Sequence, residues 1–352
     1  MSPSPDALAL DRQNPWPGLA TYDEASQAFF FGRDDETAEL LRLVRVAPLT
    51  ILYSASGLGK SSLLLAGLFP RLRAEHYLPV HLRLDFSETA QSGPLEQALR
   101  RLEEEIVSAG AEATARKADE DLWRYLHRGD FELWSADNFP LVPVLVFDQF
   151  EELFSRGAAR EHVAGVLDAL ADLVENRTPP ELVRDDVAGR EALRRFDLRT
   201  QRYRVVLSFR EEFLPEIVGW KKIPSLLNNA LQLLPMSRQK AIAATELAGR
   251  DVLAAGVAER IVDLHPPTRQ HYYHPAMQGS WSLKAVIPTV APELRYSALG
   301  EVRDGLAAQS AYFEAIAPAT AEPRRAELKK ALLDYCRQDT LALARLVEFF
   351  SR

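Results

Sequence analysis

Apolar residues along this chain follow two spacings, which alternate between about residue 34 and residue 218. Apolar positions three or four residues apart predict amphipathic helices over 34–46, 60–68, 94–109, 162–174 and, in part, 213–218. Short apolar runs predict strands over 48–53, 80–84, 142–147 and 203–208. The run 142–147 is nearly unbroken, which is typical of a strand buried on both faces of a parallel sheet. The alternation therefore predicts an α/β layered domain.

The remaining segments do not follow this alternation of helix and strand patterns. A charged, proline-containing stretch over 178–200 predicts an exposed insertion, and Ala-rich helical sequence follows residue 234 and continues to 264. We place a domain boundary near 235–250. The predicted organisation is a disordered lead-in, an α/β domain and a mostly helical C-terminal region, over 1–13, 14–240 and 241–352.

Composition narrows the classes of function. The 352 residues are 47% hydrophobic and carry a formal net charge of −8, so no global basic field attracts nucleic acid, although a local basic groove stays open as an alternative. The single cysteine, Cys336, excludes an intrachain disulfide and a Cys-based zinc site. The sequence lacks a signal-peptide pattern and an apolar run of about 18 residues, so we expect a cytoplasmic protein without a membrane partner.

The segment 54–61 is the first with recognisable chemistry. It ends in Gly59-Lys60-Ser61, the last three positions of the P-loop pattern, but Ser54 stands where that pattern begins with glycine. Backbone amides around Gly57 and Gly59 would form an anion-binding nest at the start of a helix. Lys60 would reach the β- and γ-phosphates of ATP, and the Ser61 hydroxyl would coordinate Mg²⁺. The other predicted nucleotide-binding residues of the loop are Ser56, Leu58 and Ser62.

A carboxylate follows the most apolar strand. The run 144–147 ends in Asp148, which predicts a Walker B arrangement with Asp148 holding Mg²⁺ at the carboxyl edge of the sheet. Many ATPases place a water-activating glutamate next, but Gln149 occupies that position here. Glu151 or Glu152 is therefore the candidate catalytic base. Alternatively, both glutamates only begin a solvated helix.

A third strand ends in an arginine. The run 205–209 precedes Arg210, which would lie at the same edge of the sheet and could sense the γ-phosphate of ATP. The alternative is a surface salt bridge between Arg210 and either Glu211 or Glu212.

Several short motifs resemble those of a known family. In chain order they are Asn14-Pro15-Trp16-Pro17-Gly18-Leu19, Phe30-Phe31-Gly32-Arg33, the loop 56–63, Ala66-Gly67-Leu68-Phe69-Pro70, 148–154 and Phe209-Arg210. Over about 14–240 they resemble bacterial STAND NTPases, signal-transduction ATPases with numerous domains, of the type linked to conflict and antiphage systems. The resemblance implies an ASCE-like P-loop domain and a switch that is closed with ADP and homo-oligomeric with ATP. It also implies that Arg33 lies near the nucleotide base and that Arg210 occupies the first sensor position.

The C-terminal region resembles a different family. Its segments 258–264, 271–275 and 279–286, with Asp304-Gly305 and the Tyr335 to Asp339 spacing, resemble an uncharacterised bacterial family related to DEDD-type 3′–5′ exonucleases. The resemblance implies that Asp339 ligates a metal while Tyr335 orients water. The first and middle motifs of those nucleases are not evident. We therefore expect a truncated nuclease-like module that is catalytically incomplete.

Three histidines and three aromatic residues complete the candidate list. His265, His271 and His274 fit no standard zinc spacing, so we do not expect a metal site there. We expect core positions for Tyr272, Tyr273 and Trp281.

The leading hypothesis is an ATP-binding, weakly ATP-hydrolysing STAND-class switch that uses Mg²⁺. An alternative is an ATPase-coupled nucleic-acid-processing protein. A third is a fusion or truncated product whose halves have lost their parent functions.

Overall fold

The computed structural model describes most of the chain, in two compact units, Met1–Ala258 and Glu259–Arg352. The described residues are 10–17, 20–85, 92–155, 160–183, 193–218, 223, 226–254, 264–294, 296, 299–303, 305–317 and 320–350. The segment 1–9 of the predicted lead-in and the segment 258–263 of the nuclease-like motif lie outside them. The identity of each domain stays a prediction.

The first unit is built on a five-stranded sheet in which all the strands are parallel. The strands along the chain are β1 (Leu49–Ser54), β2 (Tyr77–Leu82), a short antiparallel pair β3 (Glu112–Ala113) and β4 (Leu133–Trp134), β5 (Val142–Phe147), β6 (Arg204–Arg210) and β7 (Ala230–Gln232). The order across the main sheet is β2-β5-β6-β1-β7. Strand β6 thus separates β1, which carries the loop, from β5, which carries the acid. The α/β parallel-sheet prediction is confirmed.

Helices cover both faces of this sheet. The helices described in the first unit are α1 (Asp34–Val46), α2 (Lys60–Ser62), α3 (Phe69–Ala74), α4 (Pro94–Ser108), α5 (Leu122–His127), α6 (Glu152–Ser155), α7 (Arg160–Val174), α8 (Leu214–Val218) and α9 (Arg238–Gly249). A π-helical segment, Leu63–Leu68, joins α2 to α3 without a break. The predicted end of this helix at residue 68 is therefore wrong. Pro70 lies in the first turn of α3, where a missing backbone N–H is tolerated.

Alternate residues of β5 face two different cores, and this explains its nearly unbroken apolar sequence. Val144 and Val146 pack in the cluster that contains residues of α1 and of the π-helical segment. Leu145 and Phe147 pack in the larger cluster with residues of α4, α5 and α7. All four side chains are at most 2% exposed. The prediction that this strand is buried on both faces is confirmed.

The segment 178–200 is only partly the exposed insertion that its charge predicts. Residues 184–192 lie outside the described part. Phe196 forms an isolated antiparallel bridge with Arg128, and its ring packs edge-on against Trp123 at 5.1 Å. Gly129 donates its N–H to the carbonyl of Arg195 at 2.9 Å. The end of the segment is thus packed on the α5 side of the unit.

The second unit is helical in its described part. Its helices are α10 (His265–His271), α11 (Leu283–Val290), α12 (Gly305–Ile316) and α13 (Glu322–Phe350). The long helix α13 contributes to two small cores: Leu328 packs near α12 residues, and Ala342 and Leu346 pack near α11 residues. Among the described helices of the whole chain, none is both long and apolar enough to cross a membrane.

Candidate functional site

The loop between β1 and α2 has the backbone of an anion-binding turn. Gly57 and Gly59 have φ angles of +80° and +89°, in the left-handed region that favours glycine. A Cβ added at either position would meet open space, so the constraint is on the backbone torsion and does not come from crowding. Gly59 is also the N-cap of α2. The peptide N–H groups at the start of this helix are therefore available to an anion.

Lys60 lies across its own loop. Its side chain is largely buried, and Nζ donates to Ser54 Oγ at 3.1 Å and to the carbonyls of Ser54 and Ala55 at 3.3 and 3.4 Å. Burial lowers the pKa of Lys60, and the charges of Glu151 and Asp148 oppose this effect. Ser54 is the last residue of β1, where the backbone needs no positive φ. Its replacement of the usual glycine therefore costs no strain, and its hydroxyl supports Lys60.

Asp148 is the most heavily hydrogen-bonded carboxylate of the site. Its Oδ2 accepts from Ser61 Oγ at 2.6 Å, and its Oδ1 accepts from Ser208 Oγ and from the Gln149 N–H, both at 3.0 Å. His81 Nε2 lies 3.4 Å from Oδ2. Burial by itself would raise the pKa of Asp148, but the contacts with His81, Ser61 and Ser208 outweigh it and hold that pKa below its ordinary value. Asp148 is therefore ionised at neutral pH.

Glu151 and Glu152 lie in different environments. Glu151 is 6% exposed, its Oε1 lies 3.1 Å from Arg210 Nε, and its Oε2 is buried without a hydrogen-bond donor among the described residues. Burial raises the pKa of Glu151, against the charges of Lys60 and Arg210. Glu152 is half-buried and is the first residue of α6. Burial and a raised pKa are common features of catalytic acids and bases, but the catalytic role of either glutamate stays a prediction.

Arg210 has a partner that the sequence did not predict. Its Nη1 lies 3.7 Å from Glu212, one of the two surface salt bridges considered above, but its Nε makes the shorter contact with Glu151. Glu211 instead accepts a hydrogen bond from Gln232 Nε2 at 3.3 Å. The side chain of Arg210 is 45% exposed. Its role as a sensor stays a prediction.

Arg33 hydrogen-bonds both to the loop that follows β1 and to the segment that follows β7. Its guanidinium is buried and donates to the carbonyls of Leu234 and Leu58 at 2.9 and 3.3 Å, and to Glu36 at 3.0 Å. At the preceding residue, a Cβ on Gly32 would lie 2.9 Å from the Cβ of Ala244 in α9. The segment before α1 therefore lies against the loop on one side and against α9 on the other.

Two further loop residues have more modest contacts. Ser62 Oγ accepts a hydrogen bond from the Tyr22 N–H at 3.2 Å, which fastens the N-terminal segment to α2. Ser56 is exposed at the tip of the loop. Whether either residue touches a nucleotide stays a prediction.

Two residues of this site escaped the sequence analysis. Ser208 is polar within the otherwise apolar, fully buried stretch 205–209, and that interruption was a readable signal. His81 offered no such signal, because a histidine in an alternating strand is ordinary. Only the pairing of β2 with β5 brings it beside Asp148.

The donor set at this edge of the sheet fits Mg²⁺. A hydroxyl and a carboxylate, those of Ser61 and Asp148, already converge within hydrogen-bond distance, and hard oxygen ligands are those that Mg²⁺ prefers. Within the described part of the chain, no group of three or more His, Cys, Asp and Glu residues could hold a metal ion. Mg²⁺ is usually bound in proteins through one or two carboxylates together with substrate phosphates and water, so its binding here stays a prediction.

The candidate residues of the second unit do not form a comparable site. Asp339 accepts a hydrogen bond from Tyr296 Oη, and the Tyr335 ring lies 6.2 Å from the Tyr296 ring. Lys284 Nζ lies 5.5 Å from the centroid of the Tyr296 ring and 5.3 Å from that of the Tyr335 ring. Asp339 and Tyr335 are thus part of an aromatic and cation–π cluster. Their nuclease roles stay predictions.

The other C-terminal expectations have mixed outcomes. His274 Nδ1 accepts from the Ala276 N–H at 3.2 Å, while the side chain of His265 lies outside the described residues. Trp281 donates its indole N–H to the Tyr272 carbonyl at 3.0 Å, and both residues are partly buried. Tyr273 is 63% exposed, so the prediction of a core position is wrong for it.

Two kinds of comparison found similarity to known proteins. The family model described as Novel STAND NTPase 1 matches residues 15–265, well over half of the chain. Among solved structures, a Walker-type ATPase of Pyrococcus abyssi aligns at 15% identity over 89% of this chain and 91% of its own, with a TM-score of 0.39. At that score the likeness carries no further argument. No curated protein matches the chain.

Proposed function

This chain belongs to the Novel STAND NTPase 1 family, and we propose that it is an ATP-binding, weakly hydrolysing signal-transduction switch. One observation carries the proposal. Lys60 and the Ser61–Asp148 pair occur together with a buried glutamate, Glu151, which lacks one hydrogen-bond donor among the described residues. Phosphate binding, metal binding and water activation each need one of these groups.

The proposed binding roles follow from the chemistry of each group. The amides of Gly57 to Ser61 and the Lys60 ammonium bind the phosphates of ATP, and Arg33 supports the loop on the side of the base. Ser61 and Asp148 hold Mg²⁺, which when bound neutralises charge on the phosphate oxygens. The low pKa of Asp148 favours this role, because a metal ligand must be ionised.

Glu151 is the proposed general base. A carboxylate whose pKa is raised by burial accepts a proton more readily than an exposed one, and Oε2 is the atom without a donor. Its Oε1 is held by Arg210. We propose that this ion pair keeps hydrolysis slow until the γ-phosphate attracts Arg210, which leaves Glu151 free to orient water.

The proposal also covers the assembly of the whole protein and its output. ATP would favour a homo-oligomer and ADP a closed monomer, in the cytoplasm, and the output would serve antiphage or conflict defence. The support is membership of the family, together with a site that holds both an acid and its restraining arginine.

Titration calorimetry with ATP and ADP, combined with light-scattering mass measurement of each complex, tests the proposal. Wild-type protein should bind both nucleotides and should gain mass only with ATP. Lys60→Ala should lose nucleotide affinity by about 100-fold or more, because it removes the charge that contacts the phosphates. ATP affinity in this variant equal to that of wild type would reject the site. A monomer in both complexes would reject the switch.

The alternative, in which the C-terminal region processes nucleic acid under ATPase control, rests on the resemblance of that region alone. It predicts Mg²⁺- or Mn²⁺-dependent 3′–5′ degradation that Asp339→Ala abolishes. Intact single- and double-stranded substrates after incubation with wild-type protein would reject it.

A further inference from the structure

A large cavity lies in the first unit away from the phosphate loop. Its volume is about 880 Å³, and its walls come from α4, the segment 116–123, α7 and Pro179-Pro180. None of these described lining residues belongs to the nucleotide site described above. A volume of this size lies in the range of small-molecule sites, roughly 300–1,000 Å³.

The cavity has an apolar floor. Leu99, Leu122 and Leu173 line it and belong to the main hydrophobic core, and each is almost fully buried. Leu95 adds a partly buried side chain from the first turn of α4. A bound molecule would therefore meet apolar surface at the base of the cavity, which favours an apolar body.

The rim is strongly acidic. Seven carboxylates line the cavity against two guanidinium groups, those of Arg100 and Arg116. Three of the carboxylates have arginine partners, because Glu103 pairs with Arg116, Glu120 with Arg128 and Asp121 with Arg124. Asp168 and Asp172 also have interaction partners, which leaves Glu96 and Asp119 on the rim.

Glu96 and Asp119 are the clearest sign of charge complementarity. Both are exposed, and neither side chain has a hydrogen bond or ion pair among the described residues. They lie on different walls, Glu96 on α4 and Asp119 before α5. An excess of carboxylates over an apolar floor attracts cations and repels phosphates and other anions.

We infer that this cavity binds a small organic cation: an amine or amidine on an aromatic or similarly apolar body. The apolar floor selects the body, the unpaired carboxylates of Glu96 and Asp119 select the charge, and the acidic rim excludes nucleotides. The volume of about 880 Å³ favours a small molecule over a cationic peptide. This inference does not depend on ATP hydrolysis or on assembly.

Titration calorimetry on the full chain tests the inference with three matched probes. The cation is 2-(4-methoxyphenyl)ethylamine, the neutral match is 2-(4-methoxyphenyl)ethanol, and the anion is 3-(4-methoxyphenyl)propanoate. The amine should bind at least about tenfold more tightly than the alcohol, and the propanoate should not bind. No binding of the amine, or equal binding of all three probes, would overturn the inference.

Two variants locate the binding. Glu96→Gln/Asp119→Asn should weaken amine binding about fivefold or more and leave alcohol binding unchanged. The matched control, Glu112→Gln/Asp137→Asn, removes the same charge at exposed positions outside the cavity and should leave amine binding as in wild type. An equal effect of both double variants would mean a general field and would overturn the cavity assignment.

A volume variant and a peptide complete the design. Ala169→Phe should block the cavity without a change of charge and abolish amine binding, and retained ATP binding would show that this variant folds. If it does not fold, the double variants decide. A hexa-arginine peptide that binds while the amine does not would identify a macromolecular cation and overturn the small-molecule inference.

Discussion

At the residue scale, Glu151 shows how one position along the chain changes the chemistry of an acid. Glu151 and Glu152 are adjacent, but the turn at Gln149, with a φ of +57°, sends Glu151 into the site and lets Glu152 begin α6. Sequence alone left both as candidates, because both follow a strand that ends in an aspartate. Only the burial of Glu151 and its contact with Arg210 separate them.

Glu151→Gln should abolish ATP hydrolysis and retain ATP binding, because the amide cannot accept the proton from water. The folded pKa of Glu151 is raised, so its ionised form costs stability above the unfolded pKa of about 4.3. The variant should therefore melt at a higher temperature at pH 7, and this gain in stability should vanish as the pH falls towards 4.

Hydrolysis rates and melting curves at pH 7 and pH 4 measure both effects. Glu152→Gln is the matched control and should hydrolyse ATP at close to the wild-type rate. If Glu152→Gln loses hydrolysis and Glu151→Gln keeps it, the assignment of the base is reversed.

At the element scale, one histidine joins three elements on the α4/α7 side of the sheet. His127, the last residue of α5, is buried and contacts the Trp123 carbonyl at 2.8 Å, Asn176 Oδ1 at 2.8 Å and Tyr203 Oη at 3.1 Å. Tyr203 immediately precedes β6, and its hydroxyl donates to the Leu173 carbonyl in α7 at 2.6 Å. The sequence did not predict α5, because this six-residue helix is held in place by these contacts.

Protonation of His127 should weaken the folded state. Burial lowers its folded pKa, although Asp197 and Asp121 oppose this effect, so below the ordinary value near 6.5 the unfolded chain binds a proton that the folded chain does not. The free energy of unfolding should therefore fall between pH 7 and pH 5, by at most about 1.4 kcal/mol per pH unit from this group.

Urea unfolding between pH 7 and pH 5 measures whether the free energy of unfolding falls as His127 is protonated. In His127→Gln, the free energy of unfolding should be lower at pH 7 and should depend less on pH than in wild type. Equal slopes for the two proteins would show that other groups carry the pH dependence.

At the scale of the whole molecule, every residue of the proposed nucleotide site lies in the first unit. The fragment 1–258 should therefore fold alone and bind ATP within about threefold of the full chain, as calorimetry can measure. A shorter fragment, 1–236, removes α9, which packs closely on Gly32 and pairs Lys240 with Asp35 and Glu36. It should bind more weakly. Full affinity in the shorter fragment would show that α9 is not needed.

The sequence by itself determined the features that depend on local chemistry. The apolar run of β5 predicted its bounds, since a strand covered on both faces needs apolar residues throughout. Gly59-Lys60-Ser61 predicted a turn that leads into a helix, and Gly59 has the left-handed backbone that such a turn requires. The α/β class followed from the alternation of the two spacings.

The tertiary structure alone decided the features that depend on pairing between distant segments. The three residues of β7 have no pattern of their own and form a strand because β1 supplies their hydrogen-bond partners. His81 reaches Asp148 because β2 lies beside β5, and Glu151 meets Arg210 because β6 lies next to β5. Strand order is set by burial of both faces of the sheet, an energy summed over the whole domain, and no local pattern encodes it.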